Sequence, residues 1–198
     1  MSKIALEGNA SGTGTFTLAS PNSSTDRTLD LPDASGVIDR LNRAGNVLQV
    51  VSATKTDTVT SSATGLIAIS GLSVSLTPSS ASSKFLLIGM ISLSANNTGR
   101  IGATFTRGGS AIAIGDADGS MTRVTVNTEG PASNTNNQVG SDIMLFLDSP
   151  ATTSSVTYAI SVNNFDGQSW TVNRNQSSTN STTLARSIST ITVMEIAG

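Results

Sequence analysis

Cysteine is absent from this 198-residue chain, and so is histidine. Without cysteine there is no disulfide to staple the fold and no thiol chemistry. Without histidine the commonest general base and the commonest metal ligand are missing together. Charge is scarce: 12% of residues, 11 basic against 13 acidic, for a net charge of -2. No basic excess exists to follow a phosphate backbone, so nucleic acid is not an expected partner. Aromatic residues make up only 4%, and the core has to be built from Val, Ile, Leu and Ala. The longest apolar run, Ser83 to Leu93, is about eleven residues. A helix needs roughly 20 to cross a bilayer, so membrane insertion is not expected. The N-terminus, Met1 to Gly8, has no apolar h-region and does not read as a secretory leader. The chain is expected to be made in a cytoplasm, and the sequons at Asn9, Asn22, Asn96, Asn175 and Asn180 follow from composition alone.

What is abundant is Ser and Thr, 59 of 198 residues. Thr favours strands, while Ser, Asn and Gly favour turns. The run Ser83 to Leu93 lies between the turn-rich Thr77 to Ser82 and Asn96-Asn97-Thr98-Gly99. Gly89 in its middle and its Ser/Thr flanks argue against a helix. It is apolar on both faces between Phe85 and Ile91, and such a run predicts a central strand covered on both sides.

Residues 1–45 differ from the rest and hold 9 of the 24 charged residues. Thr13 to Ala19 alternates, with Phe16 and Leu18 on one face; Ser20 to Ser24 turns; Arg27 to Leu31 alternates again, with Leu29 and Leu31 apolar. Val37 to Leu41 is a last short element. Three such small elements cannot sustain a core alone, and this segment must dock on its own head, on sister chains or on a larger particle.

From Val47 onward nine or ten strands are predicted at sandwich-like spacing. Arg107-Gly108-Gly109-Ser110 between Arg100–Thr106 and Ala111–Ile114 is a hairpin signal. Met121 to Val126 alternates, and Asp142 to Leu147 is a second apolar strand. Tyr158, Phe165 and Trp170 fall within one predicted hairpin turned at Asn164 to Gly167. No capped 3.6-residue apolar period and no fixed repeat emerges. The expected fold is all-β: a short N-terminal β segment, 1–45, followed by an antiparallel β-sandwich head, jelly-roll-like, over 46–198.

Few residues invite chemistry. Asp116-Ala117-Asp118-Gly119 resembles half a calcium loop, but the full EF-hand spacing and its terminal Glu are missing. Asp and Gly between strands more often form a plain turn. Trp170 and Phe165, beside Asn164 and Asp166, would stack on a sugar ring and read its hydroxyls if exposed; the competing reading is that strand aromatics pack inward. The polar loops Asn127 to Asn137 and Arg174 to Thr183 offer recognition surfaces on a rigid scaffold, or plain solvated connections. Asp142 and Asp148 are a poor acid–base pair. Ends of one extended strand, they stand about 20 Å apart, where a glycosidase pair needs about 5 to 9.5 Å. No enzyme is expected, and no cofactor.

Two groups of motifs resemble known proteins. Ala10 to Leu18 (ASGTGTFTL), Ser20-Pro21-Asn22 and Arg27 to Gly36 (RTLDLPDASG) resemble the N-terminal segment of tail-fibre-like virion structural proteins of tailed bacteriophages, cyanophage-type and other aquatic ones especially. Leu72 to Lys84, with Arg107 to Ile112, Gly115-Asp116, Leu147 to Pro150, Tyr158 and Ser189 to Ile196, is similar to β-rich domains of the same particles. The resemblance implies a short tail fibre in the virion. Phe16, Leu18, Leu29 and Leu31 would attach it to other virion proteins, and its β head would form a homotrimer and touch a host-surface glycan. The chain departs from a typical fibre in having almost no shaft and no heptad segment. A capsid decoration or head-fibre protein and a free carbohydrate-binding module are the alternatives.

Overall fold

Ser/Thr-rich segments with period-two apolar residues form eleven strands in the computed structural model, which describes residues 11–15, 17, 22, 24–26, 43–96, 99–129, 138–177 and 180–198. The chain divides into two units, Met1–Ile38 and Asp39–Gly198, and the second carries the architecture below. Phe16, Leu18, Leu29 and Leu31 lie outside the described residues. The strands are β1 (Val47–Lys55), β2 (Val59–Ser61), β3 (Gly65–Leu76), β4 (Lys84–Ala95), β5 (Arg100–Arg107), β6 (Ser110–Ile112), β7 (Val126–Glu129), β8 (Gly140–Asp148), β9 (Val156–Asn164), β10 (Trp170–Val172) and β11 (Ser189–Ile196). No helix occurs among the described residues, and hence none long and apolar enough to cross a membrane.

The strands form two antiparallel sheets. In the first, β4 is central. β8 lies along one side of it, and β11 and β10 lie end to end along the other, with β1 outside β11 and β2 outside β10. Asn173 makes the junction between β10 and β11. It adopts a left-handed φ of 64°, its Nδ2 donates to the carbonyls of Lys55 and Asp57, and its Oδ1 accepts from Ser189 Oγ. Asparagine tolerates that backbone better than most residues. The second sheet runs β3–β9–β5, with β6 and β7 sharing the far side of β5. The all-β, two-sheet architecture is thus as the sequence predicts.

The inner faces meet in one core that includes Phe85, Leu87 and Ile91 of β4, Ile191 and Val193 of β11, Phe105 of β5 and Tyr158 and Ile160 of β9. Gly89 lets Ile160 and Phe105 pack close over β4, and a side chain there would make their ends shift. A Cβ there would come within 2.9 Å of Ile160 Cδ1 and 3.0 Å of Phe105 Cζ. On β3, Gly71 at φ 85° interrupts the register between Ala68 and Ser73. The inward set therefore shifts from Ile69 to Leu72, Val74 and Leu76.

Three local expectations change. The Gly108-Gly109 hairpin forms as expected, both glycines at positive φ, but Met121 to Val124 is not a strand and β7 begins only at Val126. Asn164 to Gly167 does not close a hairpin: β9 belongs to the second sheet and β10 to the first, so the turn carries the chain between layers. Finally, β4 is covered on both faces only from Ile91 to Ala95, and on one face before that. Phe85, Leu87, Gly89 and Ile91 are buried, whereas Leu86, Ile88 and Met90 on the other face are partly exposed.

Buried polar groups tie the layers. Asp148, at the end of β8, accepts two bonds from Arg107 Nη1 on β5, at 2.9 and 2.8 Å, and one from the Tyr158 hydroxyl on β9, at 2.6 Å. Burial, then the hydrogen bond to Asp148, push the Tyr158 phenol well above its ordinary range, so it stays a donor at any working pH. Tyr158→Phe keeps the ring against Phe85, 5.7 Å between centroids, but removes that donor. We expect a loss of about 1–2 kcal/mol, read as a lower urea midpoint with unchanged slope.

Glu195 of β11 is buried and accepts from Gln49 Nε2 at 2.5 Å and from the Ser79 N–H at 2.6 Å. Burial pushes its carboxyl up, but the donors outweigh burial and hold its pKa below the ordinary 4.5. The stabilisation is therefore complete above the unfolded value and is lost as pH falls through the folded one. Urea midpoints should drop on acidification below 4.5, and by less in Glu195→Gln than in the parent, although the variant is the weaker of the two at neutral pH.

Candidate subunit interface

The outer face of the first sheet is a grid three residues deep and four strands wide. Strand register places Val50, Met194, Leu86 and Leu147 in one row, Ser52, Thr192, Ile88 and Leu145 in the next, and Thr54, Thr190, Met90 and Ile143 in the third. None of the twelve is charged. The β8–β4 half is wholly apolar, and the β11–β1 half is mostly Ser and Thr.

Exposure is concentrated on β8: Ile143 is 75%, Leu145 66% and Leu147 48% exposed. Val50, at 55%, extends the apolar surface on the far side. β8 is also an edge strand, with β4 as its only strand partner among the described residues. Natural edges are usually blunted by charge, proline or a bulge. The outward side chains of β8 include none of these.

Four strands about 4.8 Å apart, with outward residues about 6.8 Å apart along each, span roughly 20 by 20 Å, or about 400 Å² in projection. The largest apolar patches on typical monomers cover about 300–600 Å²; the wholly apolar β8–β4 half of the grid is roughly 200 Å² by the same spacings, and Met194 and Val50 extend it. Two such faces meeting would remove roughly 800 Å² in projection. Side-chain relief brings the buried surface toward the ~1,200 Å² at which specific interfaces begin.

The residues singled out from the sequence are dispersed. Trp170 is fully buried between the sheets, its Nε1 donating to the Ala63 carbonyl at 3.4 Å, and Asn164 is buried with its amide donating to Ala63 and Gln168 carbonyls. Neither offers a face to a sugar, because Trp170 packs in the core and the Asn164 amide is taken up by carbonyls. Phe165 is half-buried, and Asp166 is exposed but accepts from the N–H groups of Arg100 and Gln168. Asp118 opens a tight turn closed by the Met121 N–H, and among the described residues no three metal-binding side chains come together. Asp148 is held by Arg107 and Tyr158, and Asp142, near the other end of β8, accepts from Thr128 Oγ1. The interface grid went unnamed as a site, although the two-faced apolar runs of β4 and β8 carried its signal.

No family model matches this sequence, and no curated protein does either. Among solved structures the chain is similar to a chain in the structure of infectious bursal disease virus, Gx strain, at 14% identity and a TM-score of 0.33. The match covers 75% of this chain and 37% of that one, a likeness too distant to argue from.

Proposed function

We propose that this chain is a virion structural protein of a tailed bacteriophage, a short tail fibre without catalytic activity. Segment 1–45 attaches it to the particle. The β head, 46–198, associates with copies of itself through the outer face of the β8–β4–β11–β1 sheet and contacts the host surface. One observation supports this above the others: Leu86, Ile88 and Met90 of β4 and Ile143, Leu145 and Leu147 of β8 are apolar on the face that the described residues leave partly or largely exposed. An uncharged partner face is needed, and a second copy supplies it. Three copies is the number implied by the resemblance to phage fibres; the grid itself requires only a second.

The test is gold-labelled antibody imaging of intact particles from a culture that encodes this chain. Label at the tail is the expected result. Label on the head would replace the fibre with a capsid decoration protein. Absence of label on particles whose proteins are shown to be antibody-accessible would overturn the virion assignment.

A further inference from the structure

Between β10 and β11 the chain makes an excursion, and two arginines close its base. Arg174 and Arg186 face each other as an isolated antiparallel pair, held beside the hydrogen bond from Ser187 N–H to the Asn173 carbonyl. Residues directly opposite in such a pair project their side chains to the same face. Two like charges placed so are destabilising unless something offsets them. Among the described residues the ion pairs are Lys55–Asp57 and Arg107–Asp148, so no carboxylate there answers either guanidinium.

The Arg174 guanidinium is also only partly satisfied. Its Nη2 donates to Thr60 Oγ1 at 3.0 Å, which fixes the group in place. Its Nη1 has no acceptor among the described residues but is also closed off from solvent, so an incoming anion would meet the guanidinium elsewhere than at Nη1. A buried N–H left without an acceptor is costly, although the rest of this half-buried guanidinium remains near solvent. Beside the pair is a pocket of about 280 Å³, lined also by Asn175, Asn180, Ser181 and Leu184. That is near the lower end of small-molecule sites, about 300–1,000 Å³, and fits a group the size of a single sugar ring. Among the described residues the lining carries amides and a hydroxyl but no aromatic ring and no acid.

We propose that this pocket binds a small oxyanion, the carboxylate or phosphate group of an acidic saccharide. The two guanidiniums take the charge, since planar N–H forks match these groups, and the exposed Asn180 and Ser181 side chains take ring hydroxyls. The inference goes beyond the virion reading and does not depend on it, because it concerns the purified chain alone.

The experiment is calorimetric titration of the full chain at low salt with sodium glucuronate, with glucose 6-phosphate and with glucose. One or both acids should bind and glucose should not; which acid binds separates a carboxylate source from a phosphate source. Arg186→Gln changes an exposed side chain and should weaken the binding at least tenfold. The same variant should melt no lower than the parent without ligand, because a like-charge pair has been relieved; a purely structural arginine would give the reverse. Arg174→Lys keeps the charge but loses the fork and should also bind more weakly. Failure of both acids to bind, or equal binding by parent and Arg186→Gln, would overturn the proposal.

Discussion

Leu145→Asp should dissociate the assembled protein without unfolding the protomer. Leu145 lies in the middle row of the outer grid and is 66% exposed in the single chain. A carboxylate there stays hydrated in a lone protomer and costs little. In a face-to-face contact the same charge would be buried without a partner, a penalty of several kcal/mol. At 1.4 kcal/mol per tenfold, association should weaken at least about 100-fold. Far-UV circular dichroism should not change, while sedimentation should show the shift in mass. Met121→Asp is the control. Met121 is 70% exposed but lies outside the strands and off the grid, so its substitution should leave assembly intact.

Trp170→Ala should be the most damaging single truncation in the core. Trp170 is the only tryptophan and is fully buried, paired across to Ala95 of β4 and Ser61 of β2. Truncating a buried tryptophan to alanine costs about 3–5 kcal/mol. That is a large part of the roughly 5–15 kcal/mol that holds a typical domain together. The urea midpoint should fall steeply, with β2 and the Ala63 carbonyl losing their anchor. In the intact protein, Trp170 fluorescence should report a buried indole and should not respond to added neutral sugars. A solvent-exposed emission that shifts with sugar would restore the stacking role for Trp170.

How much of this could be read from the sequence depends on how local each signal is. The apolar run Phe85 to Ile91 and the Gly108-Gly109 turn are short-range signals, and both mark real elements, β4 and the β5–β6 hairpin. The Asn164 to Gly167 turn is equally visible, yet a turn motif cannot tell a hairpin from a passage between sheets, and here it is the passage. The fate of Trp170 follows from that choice, since joining the first sheet put all three β10 side chains in the interior. Two-sided hydrophobicity in β4 and β8 signalled a second cover. Which face stays open depends on the stacking of strands distant in sequence. The Arg174–Arg186 pair was less legible still, because it exists only once β10 and β11 have lined up along β4.

The proposed contact between copies of this chain runs through the outer sheet face. The molar mass of the wild-type protein in solution, measured by light scattering across a wide concentration range, tests it most directly. A mass that is a multiple of the 20.1 kDa chain, and that falls to a single chain in Leu145→Asp, is the predicted result. A mass of 20.1 kDa at every concentration would rule out self-association through this face.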